Sequence, residues 1–166
     1  MTGTTARPAT GDHRDRADTF RSVRLDDGVC ARLDRYVRSH PGTSVTSMTN
    51  VFVDEALRAF EHPGIAFRNA PTGRRALLLG GPDVWEVVDT FAALSRDSRR
   101  QSTLGGTRAG DEDDETLVHD TAEALALTAR QVRAALRYYV AYRTEVDDRI
   151  AVQHEESVNG NGAPPR

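Results

Sequence analysis

The sequence predicts a mainly α protein with short β segments, and three observations carry that prediction. Apolar residues recur at helical spacing through most of the chain. Breaks at His40-Pro41-Gly42, His62-Pro63-Gly64 and Gly80-Gly81-Pro82 punctuate those stretches. Only three short runs read as strands: residues 20–25, 65–68 and 74–79. The expected order is a strand and two helices, then a short β-hairpin, then a small helical bundle containing a helix-turn-helix-like pair.

Residues 1–19 lack periodicity, as do residues 154–166 with their VNGNGAPPR ending, and both are expected to be disordered tails. Residues 20–25 alternate, placing Arg21, Val23 and Leu25 on one face and Phe20, Ser22 and Arg24 on the other. Val23 and Leu25 mark the inward side, so Ser22 and Arg24 project outward from a two-stranded ribbon. Asp26 is placed to cap the first helix and Asp27 to favour its dipole. Val29, Cys30, Leu33, Tyr36 and Val37 form that helix's apolar stripe, which makes Cys30 a buried structural thiol. Arg32, Arg35 and Arg38 point elsewhere, and Pro41 stops the helix.

The second helix opens near Thr46 or Ser47 and runs to Phe60, with Val53, Ala56, Leu57 and Phe60 as its core stripe and Phe52 beside it. Thr46, Ser47 and Thr49 crowd its start, where free backbone N–H groups and hydroxyls suit a phosphate. No part of residues 20–60 can bury enough apolar surface alone. Two copies can, and their paired strands make a ribbon sized for the major groove of B-DNA.

Residues 62–153 form the second region. A hairpin is expected from strands at 65–68 and 74–79 around a turn at 69–73. A helix over 83–94 places Val84, Val87, Val88 and Phe91 on one side. Gly80-Gly81 before it lacks both the spacing and the lysine of a phosphate loop and reads as a turn. Residues 95–114 carry no apolar stripe and are expected to form a mobile loop. Order resumes over 115–126, breaks near Thr128, and continues as helices over 129–142 and 145–153. Val132, Ala135, Leu136 and Tyr139 are the buried stripe of the first of these. Arg130, Arg133 and Arg137 make an exposed row, a possible second DNA or partner face that also suits a plain solvated surface.

Composition excludes several chemistries. All 22 basic residues are arginine, so Schiff-base lysines and P-loops are absent. The lone Cys30 allows no internal disulfide, and no secretory signal or membrane-spanning run is present, so a reducing cytoplasm is expected. The five histidines are scattered without metal-ligand spacing, and the acidic run at 111–115 has no calcium-loop pattern. No cofactor, no metal and no enzymatic activity are expected. Net charge is −3, distributed as nine Arg against nine acids through residue 61, seven against four over 62–110, and six against twelve thereafter. Global charge thus neither supports nor forbids DNA binding.

The run VRLDD at 23–27, LDRY at 33–36 and DEALRAF at 54–60 resembles the Arc/MetJ/CopG-type ribbon-helix-helix family. That resemblance implies a homodimer on double-stranded operator DNA. It implies base contacts by Ser22 and Arg24, with Phe20 and Arg21 at the margin, and phosphate contacts at Thr46, Ser47 and Thr49. Arg21 departs from the usual apolar residue, and the interhelical turn is longer than usual. Residues 62–153 resemble a bacterial domain family of unknown function, family four-three-three, through HPGIAFR at 62–68, GRRALLLGGPDVWEVV at 73–88, LALTARQVRAALRYYVAY at 125–142 and EVDDRI at 145–150. Arg143 stands where that family leads us to expect proline. The resemblance implies an antitoxin role, with a toxin partner such as a PIN-like ribonuclease. The combined expectation is an autorepressing, DNA-binding transcriptional regulator of a toxin–antitoxin module. Two alternatives remain: DNA read by the C-terminal helix-turn-helix with the N-terminal module only dimerising, and an interaction adaptor without DNA affinity.

Overall fold

The computed structural model describes residues 22–71, 73–105 and 111–160. Among them are six helices and one two-stranded antiparallel sheet, so the chain is mainly α with short β segments. The chain divides into two compact units, Met1–Val45 and Thr46–Arg166. The sequence pattern places a boundary at residue 62 instead, because His62-Pro63-Gly64 ends the second helix.

In the first unit, residues 22–26 carry no regular secondary structure, and α1 follows as Asp27–Ser39. No strand forms among the described residues of the expected 20–25 ribbon, which needs a second chain for its hydrogen bonds. Asp26 sits at the N-cap with extended backbone, but its side chain makes no capping bond. Its carbonyl instead accepts from the N–H groups of Val29 and Cys30. Leu33 is buried at the centre of the α1 stripe, whereas Cys30 is an exposed free thiol rather than a buried one. It lies at the rim of the stripe, where a small side chain stays accessible. Ser39 Oγ donates to the Tyr36 carbonyl at 2.8 Å, helping to satisfy the helix end.

The second unit begins with most of α2 (Val45–Glu61), followed by β1 (Ile65–Ala70) and β2 (Gly73–Leu78). The strands pair in register from Ile65↔Leu78 to Ala70↔Gly73. Gly73 has φ +101°, a left-handed conformation that admits glycine without steric cost and sets the hairpin reversal. Ile65, Ala76 and Leu78 on one face are buried with Phe67 beside them, and the opposite face carries Arg68 and Arg75.

The hairpin packs on α3 (Val84–Gly105) and α5 (Ala129–Ala141), and α3, α5 and α4 (Asp111–Ala124) pack against one another. Helix α6 (Arg143–Gly160) lies against α3 and α5. Their shared core is Val84, Val87 and Val88 of α3, Val118 and Ala122 of α4, Val132, Ala135 and Tyr138 of α5, and Val146 of α6. In α5 the fully buried aromatic is Tyr138, not Tyr139; Leu136 and Tyr139 are only partly buried.

Two expectations of irregular chain are corrected. Helix α3 continues through residues 95–105, and α4 already starts at Asp111, leaving only 106–110 of the expected loop outside the described residues. A helix nucleated on a buried first half propagates at low cost through polar residues. Likewise α6 runs to Gly160, well into the expected tail at 154–166, and His154 on it lies 2.9 Å from Asp89 of α3. The segment 161–166, the tail at 1–19 and Thr72 of the hairpin turn lie outside the described residues.

Candidate nucleic-acid interface

Ser22 and Arg24, the expected base-reading residues, are both exposed, and Arg24 makes no ion pair among the described residues. Phe20 and Arg21 lie outside the described residues. Thr46 and Ser47 are exposed in the first turn of α2, and Thr49 one turn on is half-buried. Helix α2 begins at Val45, so these hydroxyls stand at its N-terminal end, the positive end of the helix dipole.

The orientation of α2 differs from the sequence expectation. Val53, Leu57 and Phe60, expected to be core, are 55%, 56% and 85% exposed, and Ala56 is exposed beside them. On the other side of the helix Met48 is buried and Val51, Phe52, Glu55, Arg58 and Ala59 are partly buried, and Phe52, Glu55 and Arg58 meet side chains of β2, α5 and α6.

Two ionic contacts hold that inner face. Arg74 of β2 forms a fork on Glu55, its Nε on Oε1 and its Nη2 on Oε2 at 2.6 Å, and lies 5.1 Å over the Phe52 ring. Arg58 Nη1 donates to the Tyr138 hydroxyl at 3.1 Å and to Glu145 Oε2. Its guanidinium sits 4.1 Å over the Tyr142 ring. Burial disfavours the charge on Arg58, but the bonds to Glu145 and Tyr138 outweigh it and push its pKa up. Burial likewise raises the pKa of Tyr138, whose hydroxyl donates to Glu145 Oε1 at 3.1 Å. Both contacts join residues far apart in sequence, so no local pattern announces them.

Asp83 is the third buried polar centre, and sequence reasoning took it only as the start of a helix. It is 0% exposed. Arg75 Nη1 donates to Oδ2 at 2.9 Å, and Trp85 Nε1 donates to the same oxygen at 3.2 Å. Arg68 Nη2 stands 2.7 Å from Oδ1, an ion contact without hydrogen-bond alignment. The signal that points to this cluster is the hairpin register: Arg68 lies directly across from Arg75. Like charges opposed on neighbouring strands destabilise the pair unless a counter-charge reaches both. Asp83, at the hairpin's exit, is that counter-charge. Glu86, in the first turn of α3, has its pKa raised by burial and by the charge of Asp83.

Of the arginine row on α5, Arg130 and Arg137 are exposed and unpaired among the described residues, whereas Arg133 bonds Glu115 of α4. The helix opens with a complete capping box: Thr128 Oγ1 accepts from the Gln131 N–H at 3.3 Å, and Gln131 Oε1 accepts from the Thr128 N–H at 3.0 Å. Between α4 and α5, Ala126 adopts φ +52°, and the Leu127 N–H reaches back to the Ala122 carbonyl at 2.7 Å. This is a Schellman-type helix end with alanine where glycine is usual.

Among the described residues, no group of three metal-ligating side chains converges, and no helix is long and apolar enough to cross a membrane. No protein-family model matches the sequence, and comparison with curated proteins and with solved structures likewise returns no match.

Proposed function

We propose that this protein is a dimeric DNA-binding transcriptional regulator whose dimer forms on α2. The observation that carries the reading is the apolar stripe Val53–Leu57–Phe60, open to solvent on the helix face opposite the one bound to the rest of the second unit. An aligned apolar row left open to solvent along one face of a helix marks an interaction surface. A second copy is the occupant favoured, because residues 20–25 alternate as a strand yet have no strand partner among the described residues. A dimer supplies both needs, pairing two strands and covering two stripes. The ribbon then presents Ser22 and Arg24 to base edges, with phosphates held at Thr46, Ser47 and Thr49.

The antitoxin role rests on the resemblance of residues 62–153 alone. Exposed Asp147, Asp148, Glu155 and Glu156 on α6 are electrostatically suited to the basic groove of a ribonuclease toxin. Co-purification with the product of an adjacent reading frame tests that role.

The DNA-binding reading is tested by titrating the DNA upstream of its own reading frame with wild-type protein and with Arg24→Ala. The variant is expected to remain dimeric and to lose about 1–3 kcal/mol of specific binding. Unchanged affinity rules out the ribbon as the reading element.

A further inference from the structure

We propose that the outer face of α5 is a second contact with the DNA backbone, in which Arg130 and Arg137 neutralise phosphates in addition to the contacts of the N-terminal ribbon; the proposal extends the DNA-binding reading above and rests on it. Charge is sorted by helix in this part of the chain. Helix α4 carries seven acidic residues and no arginine, and α6 carries five acids against two arginines. Helix α5, between them in sequence, carries three arginines and no acid. A surface evolved only for solubility has no need to segregate its signs in this way.

The three arginines fall on one strip, at positions i, i+3 and i+7, with Val132, Ala135 and Tyr138 turned into the core on the other side. Glu115 occupies Arg133, which fixes the middle of the strip to α4. Arg130 and Arg137 remain exposed and unpaired among the described residues, about 10 Å apart along the helix axis at 1.5 Å per residue. The capping box anchors the first turn of α5, so Arg130 projects from a fixed helix end rather than a frayed one.

A regular array of phosphates suits two arginines held at fixed spacing on a rigid helix, because arginine pairs bidentately with phosphate and sheds little water in doing so. The acidic groups of a protein partner have no such regular spacing. The packing of α5 against α3, α4, α6 and the hairpin leaves this strip exposed, and a duplex can approach it there. No base reading is required of it, since phosphate contacts add affinity and register without sequence information.

The test uses the full chain and a labelled 40-base-pair duplex of random sequence, with affinity followed by anisotropy over a series of salt concentrations. Arg130→Ala/Arg137→Ala is expected to lower the slope of log affinity against log salt by about 1.8 per protomer, at about 0.9 per phosphate contact. Arg96→Ala/Arg100→Ala, which removes the same charge from exposed positions on α3, is expected to change it by much less. Thermal melting of both variants should match wild type, because none of the four side chains is buried. An unchanged slope for the α5 variant, or an equal fall for the α3 variant, overturns the proposal. Arg24→Ala keeps the two readings apart: loss of preference for the upstream DNA in that variant alone, with the α5 variant indistinguishable from wild type, leaves the ribbon reading standing and removes this one. Absence of any salt-dependent binding by wild type removes both.

Discussion

Asp83 shows how one carboxylate organises a hairpin and a helix. It neutralises two cross-strand arginines, accepts the Trp85 indole N–H, and precedes the first turn of α3. Asp83→Ala leaves Arg75, only 14% exposed at its side chain, facing Arg68 without a counter-charge. Removing one member of such a buried pair is expected to cost about 2–4 kcal/mol, measured by urea denaturation. A double variant with Arg75→Met should recover much of that loss, because the stranded charge goes with it. Ala126 makes the opposite case. Its left-handed backbone at the end of α4 is strained for any residue with a Cβ. Ala126→Gly is therefore expected to stabilise the protein by about 1 kcal/mol, read as a higher urea midpoint with unchanged slope. A lower midpoint refutes the assignment of strain to that turn.

At the scale of the element, α2 works on both faces. Its inner face is fixed by Glu55 on Arg74 and by Arg58 on Glu145 and Tyr138, while its outer face holds Val53, Leu57 and Phe60 in solvent. Periodicity alone assigns the apolar stripe to the core, since apolar residues at helical spacing usually pack within their own chain. Here Arg58 and Glu55 win the inner face because each finds an ionic partner on the second unit, and the apolar stripe is left for another surface. Leu57→Ser/Phe60→Ser should leave the melting of the second unit intact and weaken dimerisation roughly a hundredfold or more, given about 1.5–3 kcal/mol for each large apolar side chain fully buried. Sedimentation velocity across a dilution series measures it, and an unaltered dimer constant places the dimer surface elsewhere. Helices α3 and α6 carry a different lesson: 95–105 and 154–160 are helical without an apolar stripe. Absence of a stripe reports only that a segment is not buried, and an exposed extension of a packed helix meets that description as well as a loop does.

For the whole molecule, the near-neutral net charge conceals a division of labour. Acidic residues concentrate on α4 and α6, and the exposed arginines without an ion pair among the described residues include Arg24 and, on the outer strip of α5, Arg130 and Arg137. Binding to DNA is consequently expected to depend on two localised basic surfaces rather than on a general field, and to weaken steeply with salt. The two compact units meet this arrangement in different ways. The first carries α1 and, at 22–26, a segment without regular secondary structure, and the second carries most of α2, the hairpin and helices α3 to α6.

By itself, the sequence determined the class of the fold, the number and order of most elements, the hairpin, and the break before α5. These depend on local physics: proline and glycine stop helices, alternation makes strands, and capping residues begin helices. The exposed arginine row of α5 was legible for the same reason, because helical periodicity sets which side chains share a face; the alternation around Ser22 and Arg24 has no strand to match it among the described residues. Only the tertiary structure decided which face of α2 turns inward, that Arg58, Tyr138 and Glu145 form one cluster, that Asp83 answers Arg68 and Arg75, and that Arg133 is tied to Glu115. Each joins residues on different elements, and a charge buried beside its partner is stable only when the fold has already brought the two together.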